Sequence, residues 1–249
     1  MMSLAEVNIT NLVKKQFSFK TRAFLGVFSS LAMTQILGII LSLTGVASSG
    51  FFSDELEINL YYYSANMVIM LSMIWALISG ILITARATRY DDFSFVTNRL
   101  SSNIANILFL ITASVVAGIL AMASSYFLRI ITYFDSDVQL HIAGGVYAKP
   151  NELLIGIIAT VLLLVLFSSM GYFAGMLIQI NKVFSILLPV LLFGLMVVDG
   201  VSGGDNVKKV YEFIFKEASL GLFTVKIIVI SALLFVTSII MTNRLEVRK

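Results

Sequence analysis

Charged residues divide this chain into apolar stretches of unequal length, and the division predicts helices that cross a membrane. Four runs of at least 28 residues carry no Asp, Glu, Lys or Arg: Ala23 to Ser53, Ile58 to Ala85, Leu100 to Leu128 and Leu153 to Asn181. Two shorter runs follow, Val183 to Val198 and Ile227 to Asn243. A hydrocarbon core of about 30 Å takes roughly 20 apolar residues of helix, so each long run holds one span plus interfacial flanks. The pattern predicts an all-α, polytopic integral membrane protein of six transmembrane helices, at about 23–46, 63–85, 104–128, 153–176, 183–198 and 225–243. These form one transmembrane domain over 1–249.

The stretches between the spans refine the layout. Leu4 to Arg22 mixes charges with an imperfect helical stripe through Val13, Phe17 and Phe24, which predicts an N-terminal interfacial helix over 1–22. Arg129 to Glu152 is acidic and aromatic, broken by Gly144, Gly145 and Pro150, and reads as an external cap. Asn151 and Glu152 suit the helix N-terminus that opens span four. Val183 to Val198 is only 16 residues, about 24 Å of helix, and holds Pro189 and Gly194. In the outer segment 199–224 that follows, Val207, Val210, Tyr211 and Ile214 fall at helical spacing with charges on the other face. That predicts a short outer amphipathic, re-entrant helix between spans five and six.

Small residues recur within the spans, at Gly26, Ser30, Thr34, Gly38 and Ser42, at Ser72, Ala76, Gly80 and Thr84, and at Gly171 and Gly175. Lipid gives helices little hydrophobic reason to associate, so such faces carry close packing within the bundle or along a dimer seam. Packing within the chain is the favoured reading.

Composition removes alternatives. With 59% hydrophobic and 12% charged residues, little of the chain remains for a soluble catalytic domain. There is no cysteine, hence no disulfide, thiol nucleophile or thiolate metal site, and the basic first 22 residues lack a signal-peptide cleavage pattern. If the N-terminus is cytoplasmic, the inner segments carry net +7 and the outer ones −4. The positive-inside rule then predicts an N-in, C-in topology.

Candidate chemistry is sparse. No run places paired carboxylates, His or Arg at membrane depth, which argues against an ion-coupled carrier and an intramembrane enzyme. The single His141 lies in an outer segment, and GGDNVKK from Gly203 lacks phosphate-loop spacing. Asp54, Glu55 and Glu57 beside Tyr61, Tyr62 and Tyr63 read as solvated charge next to an interfacial aromatic belt.

The inner segment 86–103, RATRYDDFSFVTNRLSSN, is more distinctive: it gathers Arg86, Arg89 and Arg99, Asp91 and Asp92, and Tyr90, Phe93 and Phe95. Aromatic anchors with charges that set orientation suit a protein contact.

With this segment, the basic N-terminal stretch, the short fifth span and the outer amphipathic helix, the whole chain resembles the membrane (permease) subunit of bacterial type-2 ATP-binding-cassette (ABC) transporters, exporter-like members in particular. The resemblance implies that Arg86 to Arg99 forms a coupling helix seated on an ATP-binding subunit. It also implies that two permease chains, identical or different, and two ATPase chains form the working unit. The chain would be non-catalytic and hold no cofactor, with ATP and Mg on the partner ATPase. The expected function is export of a hydrophobic or amphipathic substrate, such as a peptide, antibiotic or lipid-like molecule, across the bacterial cell membrane. The competing expectation is a non-transporting scaffold, sensor or immunity protein that recruits a cytoplasmic partner through 86–103.

Overall fold

The computed structural model describes residues 9–43, 47–53, 56–62, 65–85, 99–134, 150–201, 208–209, 212–214 and 219–243. Seven helices and one hairpin follow in chain order: α1 (Ile9–Ala23), α2 (Leu25–Leu43), β1 (Ala47–Ser53), β2 (Leu56–Tyr62), α3 (Asn66–Ile83), α4 (Arg99–Phe134), α5 (Pro150–Ile180), α6 (Phe184–Val201) and α7 (Leu220–Asn243). Five of them, α2, α3, α4, α5 and α7, are long and apolar enough to cross a membrane. The chain is therefore a multi-pass membrane protein by length and composition. Its membrane-crossing part is helical, as the charge-free runs predict. The fifth run forms α6, an 18-residue helix with Pro189 inside it. Pro189 cannot donate to the Ser185 carbonyl, a local weak point in the helical ladder.

The boundaries depart from the charge-free runs in a consistent way. α4 extends through Arg129 to Phe134, 36 residues in all, and α5 spans 31. At 1.5 Å per residue these are about 54 and 46 Å, longer than a hydrocarbon core. Helix needs no apolarity once it leaves the bilayer, so a charge marks the edge of the slab and not the end of the helix. α5 begins at Pro150, one residue before the expected Asn151, and proline suits a first helical turn whose N–H is unpaired anyway. The end of the first apolar run is not helical: Ala47–Ser53 pairs antiparallel with Leu56–Tyr62, Ser53 opposite Leu56 and Ala47 opposite Tyr62. Glu57, Tyr61 and Tyr62 lie on β2, while Asp54, Glu55 and Tyr63 fall outside the described residues.

Contacts fix the direction of each helix. Gly38 lies against Val68, Gln35 against Ser72 and Ser30 against Trp75, so α2 and α3 are antiparallel. Met122 faces Gly156 and Asn103 faces Tyr172, so α4 and α5 are antiparallel too. α3 and α5 run parallel, with Leu77 at Gly171 and Thr84 at Gly175. α7 runs the same way, its Thr242 hydroxyl 3.7 Å from the Met176 sulfur. Thus α1, the ends of α3, α5 and α7, and the start of α4 share one end of the bundle, here the near end.

α5 is the central helix, in contact with α3, α4 and α7. α3 and α5 meet most closely because small residues face each other. A Cβ on Gly80 would lie 2.8 Å from the Tyr172 nitrogen, one on Gly171 would strike the Leu77 carbonyl, and one on Gly175 would strike the Thr84 hydroxyl. Gly171 and Gly175 form a small-xxx-small pair that lets backbones approach, giving dispersion contact where lipid gives no hydrophobic drive.

Candidate functional site: a polar clamp at the near end of the bundle

α1 is amphipathic, and its apolar stripe sends Phe17 and Phe24 into a cluster with Phe109, Leu110, Tyr172 and Phe235. Phe24 and Phe109 are 5.8 Å apart between ring centroids. Helical periodicity carries Gln16 and Lys20 to the same side, and both are buried, Lys20 completely. α1 therefore docks along the start of α4 through a polar contact as well as rings.

Lys20 Nζ donates to Asn106 Oδ1. One turn earlier on α4, Asn103 Oδ1 accepts from the Tyr172 hydroxyl of α5 at 2.8 Å. Asn103 and Asn106 are three residues apart and both buried, so the first turns of α4 are tied to α1 and α5 at once. Hydrogen bonds to a charged donor are stronger than neutral ones, and exchange with water is suppressed here by burial. Gln16, one turn before Lys20, has both amide atoms buried with no hydrogen-bond partner among the described residues, and so has Gln179 near the end of α5.

A second polar tie lies deeper in the bundle. Gln35 Nε2 donates to the Ala117 carbonyl at 3.0 Å and to Ser72 Oγ at 3.3 Å, joining α2, α3 and α4. The Trp75 indole N–H donates to Ser30 Oγ at 2.9 Å.

Of the expected coupling residues, Arg86, Arg89, Tyr90, Asp91, Asp92, Phe93 and Phe95 lie outside the described residues, and Arg99 is the first residue of α4. Among the small residues, Gly38, Gly171 and Gly175 pack against neighbouring helices of this chain, Ser30 holds Trp75, and Thr34 bonds the Ser30 carbonyl. Gly26 faces open space. Val207, Val210 and Tyr211 of the expected outer helix are likewise outside the described residues. Ile214 packs by Leu166, Phe223 and Ile227, and Lys226 Nζ donates to the Phe213 carbonyl at 2.9 Å while lying 4.0 Å from its ring centroid. That segment is thereby held to the start of α7.

The sequence pattern places Lys20 in the basic N-terminal stretch and Asn103 at the end of segment 86–103, and singles out neither of them, nor Asn106 or Tyr172. The available signal was an NxxN pair, one helical turn long, at the start of a span that is otherwise apolar. Among the described residues no group of three or more His, Cys, Asp or Glu could hold a metal ion. No protein-family model, curated protein or solved structure matches this chain.

Proposed function

We propose that this chain is the permease subunit of an ABC exporter, with six spans and N-in, C-in topology in a bacterial cell membrane. Two such chains would enclose a path for a hydrophobic or amphipathic substrate, and a separate ATPase subunit, carrying ATP and Mg, would drive it. The observation that carries the reading is the continuity from segment 86–98 into α4. That segment, rich in Arg, Asp and aromatic residues, leads at Arg99 into a helix about 54 Å long whose first turns are bonded to two other helices. A push on the segment has a stiff element to act on. The near end also carries exposed Lys14, Lys15, Arg22 and Lys182, the bias expected of a cytoplasmic face.

Purification of the chain from its own membrane, with the proteins that accompany it identified, tests the reading. The expected result is a co-purifying complex that hydrolyses ATP, and a charge-reversed Arg89→Glu, Asp92→Arg variant recovered in at least tenfold lower complex yield. A chain that purifies without an ATPase, or a variant whose complex is unchanged, would point instead to a scaffold or sensor.

A further inference from the structure

We infer that Asn103 and Asn106 are positioning residues that make α1 travel with α4, so that movement entering at the start of α4 reaches α1 and α5 as one body; this rests on the ATP-driven reading above. Three observations on different elements carry it. Lys20 of α1 is wholly buried and donates to Asn106. Tyr172 of α5 is wholly buried and donates to Asn103, one turn away. The rings of Phe24, at the α1–α2 junction, and Phe28, in the first turn of α2, both lie against Phe109, at 5.8 and 6.0 Å.

An interfacial helix held only by lipid would keep its lysines in water, where the ammonium is solvated, and bury apolar residues alone. α1 does this with Lys14 and Lys15, both exposed, but not with Lys20. Burying an ammonium is costly unless it is hydrogen-bonded, so separation of Lys20 from Asn106 without water entry is strongly disfavoured. The contact therefore favours one register of α1 against the start of α4. α1 leads through Phe24 into α2, with the Val27 N–H bonded to the Phe24 carbonyl at 2.9 Å, so the joint also fixes where the first span begins. The clamp thus sits where displacement of the start of α4 would be shared among α1, α2, α4 and α5.

Because the chain has no cysteine, two can be introduced without background labelling. Ser18 on α1 and Leu120 on α4 are exposed and outside the clamp. Spin labels on Ser18→Cys and Leu120→Cys, read by pulsed electron resonance in an ATPase complex assembled with an excess of unlabelled chain, should give one narrow distance within the chain, the same in the nucleotide-free and vanadate-trapped states. Asn106→Leu alone takes one hydrogen bond from a buried ammonium and is expected to lower yield. The Lys20→Met, Asn106→Leu pair replaces both partners with apolar groups of similar size and should restore yield to within twofold of the parent. In that pair the label distance should broaden and shift on trapping.

A parent distance that changes on trapping overturns the inference, and so does a double variant as narrow and state-independent as the parent. Failure of the ATP-driven reading is seen separately, as a parent complex that does not hydrolyse ATP. In that event the chain alone still tests the joint, since a distribution no broader in the double variant than in the parent overturns it.

Discussion

Two glutamines illustrate how little residue type alone decides inside this protein. Gln35 and Gln16 are both buried, yet Gln35 donates to Ser72 and to the Ala117 carbonyl while neither amide atom of Gln16 has a partner among the described residues. A buried amide without a partner costs about 1–3 kcal/mol, whereas an interhelical hydrogen bond in a membrane bundle contributes about 0.6–1.7 kcal/mol. The same substitution should therefore act in opposite directions. Gln35→Leu is expected to lower stability by about 1 kcal/mol, and Gln16→Leu to raise it by about 1 kcal/mol or leave it unchanged. Unfolding of the purified chain by titration of a denaturing detergent into a mild one would measure both; a loss of stability for Gln16→Leu would mean that its amide has a partner after all. Tyr172→Phe removes one hydroxyl and keeps the ring against Phe235, whose centroid is 5.9 Å away. Its cost in the same measurement should be about 1 kcal/mol, the contribution of the bond to Asn103.

At the scale of helices, the α3–α5 pair is held by absence of side chain. Gly171→Val would drive a branched side chain into the Leu77 carbonyl, backbone that cannot rotate away. The helices must separate, so the loss should be at least the ~1–3 kcal/mol of an overpacked core. Gly26→Val is the control, since nothing among the described residues lies within 4 Å of its would-be Cβ, and it should be tolerated to within about 0.5 kcal/mol. Equal effects at the two positions, in thermal unfolding followed by size-exclusion chromatography, would contradict the packing described. The sequence carries the small-residue stripes openly but not their partners: Gly38, Gly80, Gly171 and Gly175 look no different from Gly26 until helix directions are known. Helix existence was legible because charge is excluded from lipid, and Asn151 and Glu152 marked the start of α5 to within one residue, whereas the end of α4 was not legible, since that helix runs on past Arg129. The hairpin was hidden for a related reason, because Ala47–Ser53 continues an apolar run and only its pairing with Leu56–Tyr62 distinguishes strand from span. Lys20, Asn103 and Asn106 escaped notice because a lone lysine beside a membrane is usually solvated, and two amides carry no charge to mark them.

Over the whole molecule, the decisive question is how the chain passes from α5 to α7. These helices pack side by side and point the same way, with Thr242 beside Met176 near their ends and Phe223 and Ile227 beside Leu166. The chain leaves α5 at the near end and must begin α7 at the opposite one, so the stretch between them has to return across the bundle. α6 is the only helix there among the described residues that approaches the required length, about 27 Å for 18 residues against a core of about 30 Å. Its exposed Ile186, Val190, Leu191, Leu195 and Val197 suit lipid on several sides. If α6 crosses, its two ends lie on opposite sides of the membrane. Single cysteines at Lys182, just before α6, and at Gly200, in its last turn, both exposed, should then react with a membrane-impermeant maleimide from opposite sides: Gly200→Cys in intact cells, Lys182→Cys only after lysis. The positive-inside bias assigns Lys182 to the cytoplasm, so the reverse pattern would invert the topology. Labelling of both from the same side would leave five crossings and place α1 and the end of α7 on opposite faces. That outcome contradicts the parallel packing of α5 and α7, because helices that share direction and neighbours cannot be joined by a segment that never changes sides.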